Sequence, residues 1–408
     1  MFTLANRNTG SPRAAQRGFS LIEVMIGAAI ALIGMVVIFQ VLAVWEERKR
    51  STSAGSDAQV AGAIALYNLG RDLKAGGFGF GRSAAMGCNI GSWDQTLGAA
   101  VQGPGGTQFR LYPVEIVNGA GGAPDDVRVL YGNSDSFTAN QNFDLTATPV
   151  SKRIAATGSR VGFRIGDKVI VTGNTPVNCD LVEITALPIA PFAAPYTSPP
   201  YTAQDIVHQS SATSRYSNPA VTGTTSAYVA GVLNNLGPAP RWNVWQIRSL
   251  PGVTGPRVLA WSDFLFTPDT WTEVAEGIVD LQAEYGYDDD GNNIIDCDNP
   301  ALPAPACEWT ATLAAPPLTA PINWTRVRAL RVALLARSQQ YEKDAVYTPA
   351  GCTGSACKPD APAWAGGAFV MRDVDGVGDS QTDDTNDWRH YRYRVYQQVV
   401  PLRNVIFD

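Results

Sequence analysis

Histidine is nearly missing: His208 and His390 are the only two among 408 residues. This scarcity weakens two chemistries at once. A Ser–His–Asp set would have to use one of them, and no G-x-S-x-G turn offers the serine. Zinc would need a histidine at ligand spacing from a cysteine pair, which neither has, and no C-x-x-C occurs. A P-loop, a dinucleotide fingerprint and an H-E-x-x-H are also lacking. Glycines 76, 77, 79 and 81 do not form a phosphate cradle, because no strand feeds them. The chain has no internal repeat and no basic patch, and its net charge is −6, so no nucleic-acid contact is indicated. Proline is absent from residues 19–75.

Charge is absent too, over the 22 residues from Val24 to Trp45. A run of that length is enough to span a bilayer as a helix. Just before it stands Glu23, whose carboxylate in a membrane segment costs on the order of 2.5–3.5 kcal/mol. Arg7, Arg13 and Arg17 precede it without one acid, so this end is expected to remain cytoplasmic. A secretory signal would be shorter and end in a small-residue cleavage site. The only A-x-A, Ala29-Ile30-Ala31, lies inside the apolar run. A plain anchor would leave Glu23 unexplained.

The stretch Gly18-Phe19-Ser20-Leu21-Ile22-Glu23, with the short basic leader and the long apolar run, resembles the class III signal of type IV prepilins and type II secretion pseudopilins. The resemblance implies cleavage after Gly18 by the prepilin peptidase and N-methylation of Phe19. It also implies extraction from the inner membrane into a helical fibre. There Glu23 would meet the new amino terminus of a neighbouring subunit, two charges made tolerable by pairing. Gly27, Ala31 and Gly34 form a small-residue stripe that suits close helix approach, although such residues are common in membrane helices anyway.

After the charged cluster at 46–50 the helical pattern resumes. Val60, Ile64 and Tyr67, with Gly70 or Leu73, share one face, and the glycines from 76 onward end the helix. A helix from Phe19 to about Ala75 would be roughly 85 Å long. The expected organisation is a leader (1–18), a transmembrane and fibre-core helix (19–45), its amphipathic continuation (46–76) and an exported β-rich domain (77–408). Removing the leader takes three of the 31 basic residues and none of the 37 acids, which leaves a formal charge of −9. The 330 or so residues after the helix are enough for genuine cores and are long for a pilin.

Strand patterns occur at 163–173, 179–185, 241–250, 257–262, 326–338 and 391–400. The segment 271–285 reads as a second helix that passes into a strand at its end. Proline-rich connectors are expected at 186–202 and 299–321. The fold class is α+β and pilin-like, with a long N-terminal helix on an antiparallel sheet domain with long loops.

Phrases at 71–88, 165–185, 275–292 and 399–404 resemble the PilW-type minor pilins. That resemblance implies a structural role, priming pilus assembly with other minor pilins and the major pilin, at the tip beside a non-pilin adhesin. The prepilin peptidase and the inner-membrane assembly platform would be its processing and assembly partners. The J-type pseudopilins share the leader and fold and stand as the closest alternative. A membrane-anchored periplasmic hydrolase is the alternative from another class.

Cys88, Cys179, Cys297, Cys307, Cys352 and Cys357 form an even set in a chain whose body is exported, which points to disulfides. Proximity favours Cys297–Cys307 and Cys352–Cys357 as short clips, leaving Cys88–Cys179 as the long-range staple. No cofactor is required, but calcium has two candidate sites rich in hard oxygen ligands. The first is Asp288, Asp290, Asn292 and Asp296 around Gly291, and the second is Asp373, Asp375, Asp379 and Asp383. The competing reading is a pair of solvated turns.

Overall fold

The charge-free run and the alanine-rich stretch that follows it form one helix, α1 (Leu21–Ala75). The computed structural model describes residues 20–81, 83, 85–135, 140–144, 150–173, 179–188, 202–217, 228, 230–249, 257–296, 308–313, 324–339, 341–342, 346–347, 361–371 and 388–406. The chain divides into two units, 1–53 and 54–408, and α1 contributes to both. Its end is set by glycine. The Gly76 N–H still reaches back to the Asp72 carbonyl at 3.2 Å, but Gly77 turns to φ +82° and its N–H goes to Leu130 instead. A left-handed φ of that kind is nearly free only for glycine.

Within the second unit, α1 buries Ala58, Ala65, Leu69 and Leu73 against Val127, Val129, Trp245, Leu281 and Leu334. This corrects the expected contact face: Val60, Ile64 and Tyr67 point away from the sheet and are exposed. The reason is size. Periodicity weights large apolar residues, whereas the first turns of the packed face are built from alanine and glycine, which let the helix come close before Leu69 and Leu73 take over. At Gly62 a Cβ would run into the Tyr396 ring, and at Gly70 into the Gln398 side chain.

Among the described residues, fourteen strands of three residues or more follow. The first are β1 (Val114–Val117), β2 (Asp126–Tyr131), β3 (Gln141–Phe143), β4 (Ser151–Arg153) and β5 (Lys168–Gly173). Next come β6 (Cys179–Glu183), β7 (Asp205–Val207), β8 (Gly231–Gly237), β9 (Arg241–Arg248) and β10 (Val258–Asp263). The last are β11 (Thr272–Glu276), β12 (Ile278–Tyr287), β13 (Val327–Arg337) and β14 (Tyr393–Pro401), before a short α2 (Arg403–Ile406). One five-stranded sheet runs β11-β10-β9-β2-β1 and carries the helix on one face. A second runs β6-β5-β8-β3, with Ile90–Gly91 added in parallel beside β6. The third runs β12-β13-β14, with Trp309–Thr310 on the β12 edge. The fold is α+β and mostly antiparallel.

The segment 271–285 contains no helix; it is β11 and β12, hinged at Gly277 with φ +75°. β12 pairs with β13 along its length, from Ile278 opposite Ala336 to Tyr287 opposite Val327. Its two faces enter different cores, Leu281, Ala283 and Tyr285 on one side and Val279 on the other. A strand buried on both faces loses its polar alternation and then imitates helical spacing. Of the two proline-rich connectors, 189–201 in the first and 299–307 and 314–321 in the second lie outside the described residues. In the second, Trp309–Thr310 is a short strand rather than loop.

Candidate functional site

The Ser20 carbonyl begins α1, accepting the N–H groups of Glu23 at 3.0 Å and Val24 at 3.1 Å. Glu23 therefore sits in the first helical turn, where the helix dipole favours a negative charge. Among the described residues, no hydrogen bond or ion pair involves its carboxylate. From Leu21 to Leu42 the helix has a mean hydropathy of 2.6 and is nowhere buried in its own chain, a length and composition that suit a membrane span. A Cβ on Gly27 or Gly34 would meet nothing within 4 Å. An isolated helix this apolar leaves its whole surface for lipid or for other helices. Gly18 and Phe19 lie outside the described residues.

Of the six cysteines, Cys88 and Cys179 are joined by a disulfide with Cα atoms 6.1 Å apart. The bridge ties the segment just after α1 to β6, beside the parallel pairing of Ile90 with Cys179. Cys297, Cys307, Cys352 and Cys357 lie outside the described residues, as does the acidic run Asp373, Asp375, Asp379 and Asp383.

The first acidic cluster is described in full. Asp288 is wholly buried. Its Oδ1 accepts the Gly291 N–H at 2.6 Å, and its Oδ2 accepts the Asn293 N–H at 3.1 Å and the Arg328 guanidinium at 3.1 Å. Asp290 accepts from the Asn292 backbone and side chain. The carboxylates of Asp288 and Asp290 converge with Glu308, a ligand-type residue that the linear pattern did not include. Glu308 in turn accepts the N–H groups of Asp289 at 2.8 Å and Asp296 at 3.0 Å. Asn292 and Asp296 thus enter through backbone and amide contacts. Arg328 neutralises one of these three carboxylates, that of Asp288, while Asp290 and Glu308 complete a group of hard oxygen donors of the kind a cation takes.

The histidines hold no catalytic set among the described residues. His208 is buried after β7, with Nε2 3.2 Å from Lys152 Nζ. Burial lowers both groups, His208 well below the usual imidazole range and Lys152 to about 8. His390 stacks on Tyr341 with ring centroids 4.8 Å apart, and its Nδ1 lies 2.8 Å from the Glu342 carbonyl.

A further polar constellation lies where the last turns of α1 meet the first sheet. Asp72 Oδ2 accepts the Asn243 amide at 2.7 Å and the Trp245 indole N–H at 3.0 Å, while the Tyr131 hydroxyl reaches Oδ1 at 3.3 Å. Burial raises the Asp72 carboxyl above its ordinary range, opposed by these three donors and by Arg71. Nothing in the linear sequence links residue 72 to residues 131, 243 and 245; the register of β2 on β9 and the packing of α1 on that sheet bring them together.

Two comparisons bear on this chain. Residues 13–39 match the family described as the prokaryotic N-terminal methylation motif. Residues 258–404, from the start of β10 to the second residue of α2, match the family described as Type IV Pilus-assembly protein W. Searches of curated proteins and of solved structures found no match.

Proposed function

We propose that this chain, a PilW-type minor pilin by its two family matches, is built into a type IV pilus and helps to initiate its assembly at the tip. In this reading, prepilin peptidase cuts after Gly18 and Phe19 becomes the N-methylated first residue. Arg7, Arg13 and Arg17 hold the leader in the cytoplasm, so the β-rich part emerges on the periplasmic side. The observation that carries the reading is the apolar surface of Leu21–Leu42, unburied within the chain and headed by a lone carboxylate. A membrane satisfies the apolar surface but not Glu23. A fibre of like helices satisfies both, since a neighbour's new amino terminus pairs with the carboxylate. The size of the exported part supports a minor rather than a repeated subunit, and the match over 258–404 supports a pilus over a secretion assembly.

Processing is the direct test. N-terminal mass analysis of the protein from cells with active prepilin peptidase should give a methylated Phe19 start. Gly18→Ala should accumulate as an uncut precursor in the membrane. An intact Met1 end, or a start near Leu32 after the A-x-A, would refute the reading.

A further inference from the structure

A sheet edge leaves backbone groups without partners, and proteins blunt such edges with short strands, charges, prolines or bulges. Most edges described here are blunted in this way. β1 and β3 span only four and three residues. β11 carries Glu273 and Glu276 and pairs with β10 through a register shift, while Trp309–Thr310 covers β12. β14 differs. Its nine residues pair with β13 in unbroken register on one side, and no described strand lies on the other.

Contacts at the two ends of β14 fix which way its backbone groups point. The Leu402 N–H donates to the Arg328 carbonyl at 3.0 Å, and the Ser338 N–H to the Arg392 carbonyl at 2.8 Å. Bonded and non-bonded pairs alternate along an antiparallel ladder. Even-numbered residues from Arg394 to Val400 therefore bond inward to β13, and the odd-numbered ones point out. The Tyr393 N–H agrees with this phase, donating to the Tyr347 hydroxyl at 3.3 Å. Among the described residues, nothing bonds the backbone N–H and C=O groups of Val395, Gln397 and Val399. Pro401, which has no N–H, ends the row.

We propose that this edge takes an extended segment of another pilus polypeptide, added as a strand beside β14. The proposal rests on the reading of the chain as a pilus subunit. Outward N–H groups at two-residue spacing, roughly 6.8 Å apart, match the carbonyls of an extended chain. Side chains narrow the occupant. Val399 is exposed and Val395 half-buried, so both offer apolar neighbours on one face of the added strand. On the other face the exposed Arg394 lies 2.7 Å from the Gln59 amide, and among the described residues no acid pairs with it. An acid on the incoming segment would complete that pair, so the segment alternates apolar residues with at least one acid. Gln59 lies at Arg394, Gly62 at Tyr396 and Gly70 at Gln398, so α1 runs in the direction of β14. Antiparallel pairing with a second copy would set two such helices in opposite directions, unlike subunits drawn from one membrane.

The test compares full-length Val399→Pro with wild type in cells, as the ratio of subunit in sheared pili to subunit in the inner membrane. Proline removes one outward N–H and leaves the bonds to β13 intact. The variant should be cut after Gly18 and melt like wild type, yet its ratio should fall by about tenfold or more. Val399→Ile, which keeps the N–H, should fall less, and Arg394→Glu should fall as well. Val395→Pro decides the matter if Val399→Pro does not fold. Alone in detergent, the processed wild-type chain should be a monomer. Entry of the proline variant or of Arg394→Glu at the wild-type ratio would overturn the proposal. So would an equal fall in Val399→Ile, misfolding of both proline variants, or a wild-type dimer that Val399→Pro disperses. A wild-type chain that is uncut or absent from pili would overturn the pilus reading, and this proposal with it.

Discussion

Asp125 accepts the Gly119 and Ala283 backbone N–H groups at 2.8 Å each, yet burial still pushes its carboxyl up to about 6. A carboxyl whose pKa is raised by folding stabilises the protein fully below its unfolded value, near 4, and loses that contribution as pH rises through about 6. We therefore expect the stability of wild type relative to Asp125→Asn to fall between pH 4 and pH 7 in paired thermal melts. A difference that grows over that range would contradict the assignment. At this same scale the signal was legible where chemistry is contiguous, as in Gly18 to Glu23. Asp125 gives no such sign, because its N–H donors come from residues 119 and 283, which only folding brings together. Glu308 escaped for the same reason: its partners Asp289 and Asp296 sit across a strand pairing.

Helix α1 shows how far an element can be read in advance. Its start and end follow from an uninterrupted charge-free run and from the glycines after Ala75. Its packed face did not follow, since Ala58, Gly62 and Ala65 carry little hydrophobic signal. The buried strand β8 was equally hidden, because Asn234 and Asn235 interrupt it; both are buried and bonded, Asn234 to the Ile170 carbonyl and Asn235 to Asp167. The C-terminal end of α1 is closed from the far end of the chain. The Asn404 amide reaches the carbonyls of Lys74, Ala75 and Gly76 at 3.1–3.3 Å. These carbonyls have no partner within the helix. Asn404→Ala should lower stability by about 1–2 kcal/mol, the usual scale for a lost side-chain bond to helix-end groups. It should also speed hydrogen exchange in the last turn of α1, and unchanged exchange there would show that the cap is dispensable.

The whole molecule combines an apolar helix surface, unburied within the chain, with a β-rich part that has its own buried cores. The Cys88–Cys179 bridge, with a sequence separation of 91, fastens the junction region to the second sheet. Breaking it with Cys88→Ser should cost about 2–4 kcal/mol, read as a lower melting temperature in oxidising but not in reducing buffer. Equal melting in both proteins under oxidising conditions would mean that the bridge adds nothing. The central claim concerns the other part, that Glu23 serves assembly and not anchoring. Glu23→Val removes a costly charge from the membrane segment, so the protein should still insert and still be cut after Gly18. In the fibre it strands a buried amine, a loss on the order of 3–5 kcal/mol. The measurement is the ratio of this subunit in sheared pili to that in the inner membrane, for Glu23→Val against wild type. A fall of about a hundredfold or more, with membrane levels maintained, is the result this account predicts. Entry of Glu23→Val into pili at the wild-type ratio would contradict it.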